Sequence, residues 1–181
     1  MTTMPWQPYP VDAIDPTPVE AEGFYMQRLP LLGRVQLRLR DAEHIAALGL
    51  PTSTSTTSTA LADGRWLWLG PDEWQWQGEH SEIPLTRLQH TLGEVWHQAV
   101  DISDYYVGFR LRGKAIRQVI NKGCPLDLGR ELAPGQCVPS RISKASVLLL
   151  ATDAETIEVS VRWSMAEYLW AFLAQSAVSL A

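Results

Sequence analysis

Residues 122–137, KGCPLDLGRELAPGQC, hold the only two cysteines of the chain, Cys124 and Cys137. A cysteine attacks or ligates as a thiolate, so nearby cations and a helix N-terminus decide whether it is reactive. Lys122 is the one cation adjoining Cys124, and Gly-Cys-Pro places the thiol after a predicted helix, not before one. Gly123 reads as the residue that closes that helix and Pro125 as its stop. A zinc centre needs four ligands, and the nearest histidine, His97, is far from both cysteines. The pattern predicts two free thiols in a reducing compartment, with Cys124 a small apolar side chain at a tight turn.

The remaining candidates carry equally ordinary explanations. Asp101 and Asp104 in AVDISD could work as an acid/base pair. The same spacing before a strand serves turns, where Asp side chains bind nearby backbone N–H groups, and that is the reading adopted. His90 and His97 are seven apart, but Gly93 between them ends a helix, so they do not share a metal-binding face. His44 falls on an ordinary helix. There is no G-x-G-x-x-G, no Walker sequence and no G-x-S-x-G, hence no phosphate loop or nucleophile elbow of those types. The chain reads as non-catalytic.

These residues sit in a chain of 181, of which 46% are hydrophobic and 19% charged, enough to bury a sizeable core. Net charge is −5 without a basic run, which argues against nucleic acid as a partner. The start, MTTMPWQPYPVDAIDPTP, has neither a positive region nor an apolar one, so no signal peptide is expected. No apolar stretch is long enough to span a membrane, and the expected location is the cytoplasm. Eight tryptophans stand out, because such rings either fill a core or face a partner.

The elements that must position these side chains follow from periodicity. Residues 1–30, rich in Pro and acids, read as an extended arm whose Trp6, Tyr9, Phe24 and Tyr25 anchor it to another surface. From residue 31 a single domain is expected, in two halves of about 34–95 and 96–181. RVQLRLR alternates as a strand; DAEHIAALGLP offers an Asp cap, a helix and a Gly-Leu-Pro stop. TSTSTTSTA suits an edge strand, RWLWLG a strand, PDEWQW a short helix and SEIPLTRLQHTLG a longer one. The series then recurs: VGFRLRG, the helix KAIRQVINKGCP, the strands CVPSRIS, VLLLATD and TIEVSVRW, and the helix SMAEYLWAFLAQSA. The expected fold is α+β, two β-α-β-β-α ferredoxin-like halves related by a pseudo-dyad. In RWLWLG, Trp66 and Trp68 face one side and Leu67 and Leu69 the other. A strand apolar on both faces needs a second cover, either a partner chain or the other half. Trp6, Phe24, Tyr25, Trp66 and Trp68 are therefore the predicted interface residues.

WLGPDEW (68–74), AVDISD (99–104), LRGKAIRQVINKGCPLDL (111–128) with APGQC (133–137), and VRWSMAEYLWAFL (161–173) together resemble the gamma subunit of heterotetrameric sarcosine oxidase. They occur in that family's order over roughly residues 34–175. Arg162, Trp163, Ser164, Met165 and Ala166 stand where the family more usually has Arg-Ser-Phe-Ala. The resemblance implies a small non-catalytic subunit folded like part of the aminomethyltransferase folate-binding domain. It implies a complex with alpha, beta and delta subunits that demethylates sarcosine with oxygen, giving glycine and hydrogen peroxide and passing the methyl carbon to tetrahydrofolate. FAD, FMN, NAD and tetrahydrofolate then belong to the alpha and beta subunits and zinc to delta, with no cofactor and no catalytic residue on this chain. The alternative is a stand-alone folate-binding protein of the aminomethyltransferase superfamily, in one-carbon metabolism or iron–sulfur maintenance. It fits less well, because Lys-Gly-Cys is followed here by Pro125, Leu126 and Asp127.

Overall fold

Alternation between apolar and polar residues governs most of this chain, and it builds two antiparallel sheets. The structure, a computed structural model, describes residues 17–52, 58–61 and 63–179. In chain order the first part comprises β1 (Val19–Ala21), β2 (Phe24–Arg28), β3 (Gly33–Leu39), α1 (Ala42–Ala47), β4 (Ser58–Leu61), β5 (Gly64–Gly70), β6 (Glu73–Gly78), α2 (Glu82–Leu92) and β7 (His97–Asp101). The second comprises β8 (Tyr106–Arg112), α3 (Ile116–Asn121), α4 (Leu128–Glu131), β9 (Cys137–Ile142), β10 (Ala145–Asp153), β11 (Thr156–Arg162) and α5 (Ala166–Val178). The sheets run β4-β5-β6-β3-β7 and β1-β2-β8-β11-β10-β9. The fold is α+β.

Side-chain alternation stacks the molecule in four layers. Val35, Leu37, Trp66, Trp74 and Trp76 leave the five-stranded sheet on one side and meet Leu88 and Leu92 of α2 and Ile45 of α1. Phe109, Leu149 and Val159 leave the six-stranded sheet on its outer side and meet Ile116 and Val119 of α3 and Leu169 and Leu173 of α5. The inner faces turn toward each other, where Leu67 of β5 packs on Cys137, Leu148 and Leu150. Asp41 caps α1 by accepting from the His44 backbone N–H at 2.9 Å, as DAEHIAALGLP predicts. Gly93 closes α2 with φ at +48°, a conformation suited to glycine.

Several expectations change. PDEWQW is not a helix. Pro71 and Asp72 make a two-residue turn between β5 and β6, and Trp74 and Trp76 alternate with Gln75 and Gln77 along β6. The arm does not extend to residue 30: β2 pairs with β8 and β1 with β2, so 19–28 are strands of the main sheet. Phe24 lies in the core rather than on a partner. The two halves carry three strands between their helices, and the strand order β4-β5-β6-β3 matches β9-β10-β11-β8. A β-α-β-β-α ferredoxin-like half is therefore one strand short of what forms. The predicted edge strand TSTSTTSTA survives as β4, at the edge of its sheet, while residues 53–57 lie outside the described ones.

Candidate functional site

The inner layer between the sheets holds the most concentrated polar chemistry of the described residues. β3, β5 and β6 from one sheet and β8 and β11 from the other contribute every second side chain to it. Arg34 Nη1 donates to Gln75 Oε1 at 3.1 Å, and Gln77 Nε2 donates to the same oxygen at 2.8 Å. Gln77 Oε1 accepts from Arg65 Nη2 at 3.0 Å. Arg65 then crosses between the sheets to Glu158 Oε2, while Arg110 Nη2 donates to Glu158 Oε1 at 2.7 Å. Arg34 is 2% exposed and its Nε has no partner among the described residues. Burial, with Arg65 pushing the same way, brings its pKa down to about 10, so it keeps its charge at neutral pH. Burial would raise the Glu158 carboxyl, but Arg65 and Arg110 outweigh it and hold the pKa below its ordinary value. Arg65, Arg110, Gln77 and Glu158 also line a cavity of about 790 Å³ whose apolar wall is Leu29–Pro30–Leu31–Leu32.

None of these six residues drew attention in the sequence. Gln75 stood in a segment read as helix, and Arg65 and Glu158 lie 93 residues apart. The available signal was polar residues at inward positions of strands whose other face is apolar, as in EWQWQG and TIEVSVR.

The predicted chemistry around the cysteines resolves into scaffold. Cys124 is buried at the end of α3 beside Ser140, with its Sγ 3.5 Å from Ser140 Oγ. Gly123 is required by close approach rather than by a left-handed turn, since a Cβ there would meet Phe172 Cζ at 2.8 Å and the Ser143 N at 2.9 Å. Lys122 Nζ donates to the Ser176 carbonyl at 2.8 Å, and Arg117 holds the carbonyls of Leu128 and Leu132. Cys137 is buried in the inner layer, and burial pushes its thiol up to about 11, which keeps it protonated. Cys124 and Cys137 are not joined in a disulfide.

Asp101 makes a turn. Its Oδ1 accepts from the Ser103 backbone N–H at 2.9 Å, and its Oδ2 from Ser81 Oγ at 2.6 Å. Burial opposes ionisation there, yet the bonds from Ser103 and Ser81 hold the carboxyl below its usual range. Asp104 lies in the short 3₁₀ turn that follows. His90 lies in the last turn of α2, His97 starts β7 with Nδ1 2.7 Å from the Val95 carbonyl, and His44 Nδ1 lies 2.7 Å from Asp41. Among the described residues no group of three His, Cys, Asp or Glu is placed to hold a metal ion.

Residues 39–179 match the family described as "Sarcosine oxidase, gamma subunit family". The chain belongs to that family. It is 31% identical over 137 residues to the sarcosine oxidase subunit gamma of Corynebacterium sp. (strain U-96), covering 74% of this chain and 67% of the relative. Among solved structures it is similar to a chain of heterotetrameric sarcosine oxidase from Corynebacterium sp. U-96, at 25% identity and a TM-score of 0.81, over 93% of this chain and 91% of that one. The glycine cleavage system aminomethyltransferase T from Bartonella henselae shares the fold at 12% identity and a TM-score of 0.58, over 82% of this chain and 44% of that one.

In this sarcosine oxidase gamma-family chain, the predicted interface aromatics occupy different surroundings. Trp66 is 3% exposed and packs with Trp74 and Trp76 under α1 and α2. The second cover for β5 comes from within the chain, because Leu67 is sealed by β9 and β10. Trp66 and Phe24 thus present no surface to a partner. Trp68 and Tyr25 are half-buried; Tyr25 Oη donates to Gln27 Oε1 at 3.0 Å. Trp6 lies outside the described residues. The large apolar side chains most open to solvent include Trp96 at 75%, which the sequence did not single out.

Proposed function

We propose that this chain is the gamma subunit of a heterotetrameric sarcosine oxidase-type complex and serves it as a structural, non-catalytic component. The observation that carries the reading is the superposition on a chain of a heterotetrameric sarcosine oxidase over nearly the whole length of both. The complex would convert sarcosine to glycine with formation of hydrogen peroxide and pass the methyl carbon to tetrahydrofolate. FAD, FMN, NAD, tetrahydrofolate and zinc would sit on alpha, beta and delta partners in the cytoplasm. No helix among the described residues is long and apolar enough to cross a membrane. The matching strand order of the two sheets supports an approximate twofold between the halves. Half-buried Trp68 and Tyr25 are the proposed partner contacts that remain of the aromatic set, together with Trp6.

The test is the native mass and absorbance of the chain purified from its source. Co-elution with larger, flavin-absorbing subunits is expected. A monomer that binds tetrahydrofolate by itself would favour the folate-binding alternative and overturn the subunit reading. Trp68→Ala should impair co-purification while leaving the circular dichroism of the free chain unchanged. Unfolding of the free mutant, or assembly at wild-type affinity, removes Trp68 from the interface.

A further inference from the structure

Two arginines converge on one carboxylate in the cleft between the sheets. Glu158 is the carboxylate that Arg65 and Arg110 share, and both of its oxygens are taken by them. Glu79 also lines the cavity, with its side chain 88% exposed at the rim. Away from the rim the cavity holds two arginines, Arg65 and Arg110, against one carboxylate, Glu158. Among the described residues, Nη1 of Arg65 and Nη1 of Arg110 donate to no protein acceptor. A planar guanidinium fork matches a carboxylate. Leu29, Pro30, Leu31 and Leu32 form an apolar wall opposite this charge. A cavity of about 790 Å³ with an apolar lining and a few convergent polar groups has the size and make-up of a small-molecule site.

We propose that this cleft binds a small monocarboxylate with an apolar body, its acid group on Arg65 and Arg110 and its body against Leu29–Leu32. Two arginines that already share one carboxylate suit a monoanion better than a phosphate dianion. The site does not depend on the subunit reading.

Benzoate is the probe and benzamide its uncharged isostere, titrated calorimetrically into the full-length chain. Benzoate should bind, and benzamide about tenfold more weakly or not at all, because a charge-assisted bond is roughly twice as strong as a neutral one. Arg110→Gln should weaken benzoate about tenfold. Leu31, 58% exposed on the cavity wall, gives a variant with little risk to folding. Leu31→Asp should weaken benzoate severalfold and Leu31→Lys should not. Equal binding of the two probes, no binding of either, or indifference to Leu31→Asp overturns the site. The same titration on the chain co-purified with its partners distinguishes a second occupant. Retained binding supports the small-molecule site. Binding to the free chain alone shows that a partner's acidic side chain fills the cleft, and the small-molecule assignment falls.

Discussion

The outer faces of the two sheets and the layer between them are made by the same strands on alternate residues, yet they differ in chemistry. Outside, Phe109, Leu149 and Val159 meet α3 and α5, and Val35, Leu37, Trp74 and Trp76 meet α1 and α2. Between the sheets, the apolar patch of Leu67, Cys137, Leu148 and Leu150 adjoins the Arg34–Gln75–Gln77–Arg65–Glu158–Arg110 chain. Apolar burial is non-directional and tolerates sliding. Hydrogen-bonded charges need set angles and distances. The outer layers thus supply most of the stability, and the inner one fixes how one sheet sits on the other.

The largest effect should come from the outside. Phe109 is fully buried, with its ring 5.2 Å from that of Trp170. Phe109→Ala should cost about 3–5 kcal/mol by denaturant unfolding. A cost below about 1 kcal/mol would place the main core elsewhere. Glu158→Gln comes next, since removing one partner of a buried ion pair leaves the other stranded, at about 3 kcal/mol near neutral pH. The native Glu158 carboxyl is held below its unfolded value, so its contribution is present above the unfolded pKa of about 4.3 and fades as pH falls through the native value. The gap between wild type and Glu158→Gln should therefore close on acidification. A gap that is independent of pH would deny the ion pair its role.

Much of this architecture was legible because it is written locally. β3, β8, α1, α2 and α5 each carry their period within one segment, and Asp41 and Gly93 mark helix ends by type alone. β6 was lost because Pro71, Asp72 and Glu73 imitate a helix start, with proline and acids in a first turn, while the Trp and Gln alternation that follows obeys a period of two. β2 is short and takes its partner, β8, from far along the chain. The Arg34–Gln75–Gln77–Arg65–Glu158–Arg110 chain left only polar residues at inward strand positions as a local trace, and their meeting was illegible because they come from five strands.

Smaller effects sharpen the contrast at the two cysteines. Cys137 is fully buried in the inner layer, so Cys137→Ser should cost about 2 kcal/mol, and its protonated thiol should resist alkylation at neutral pH in the folded chain. Rapid labelling would show an inner layer open to solvent. Cys124→Ser, on the helix side and with Ser140 at hand, should cost on the order of 1 kcal/mol and leave turnover of the assembled complex within about threefold. A hundredfold loss of turnover with assembly intact would return Cys124 to the chemistry.

The 93-residue separation of Arg65 and Glu158 also has a kinetic meaning. The long ladders join chain neighbours, β9 to β10 and β10 to β11, and need only short loops to close. A contact across such a distance must first overcome the entropy of a long loop. The ion pair is expected to form after the folding barrier, with a φ-value near zero. Glu158→Gln should then speed unfolding and leave the refolding rate unchanged. The latch between the sheets would set how long the native state lasts, and the hairpins how quickly it is reached.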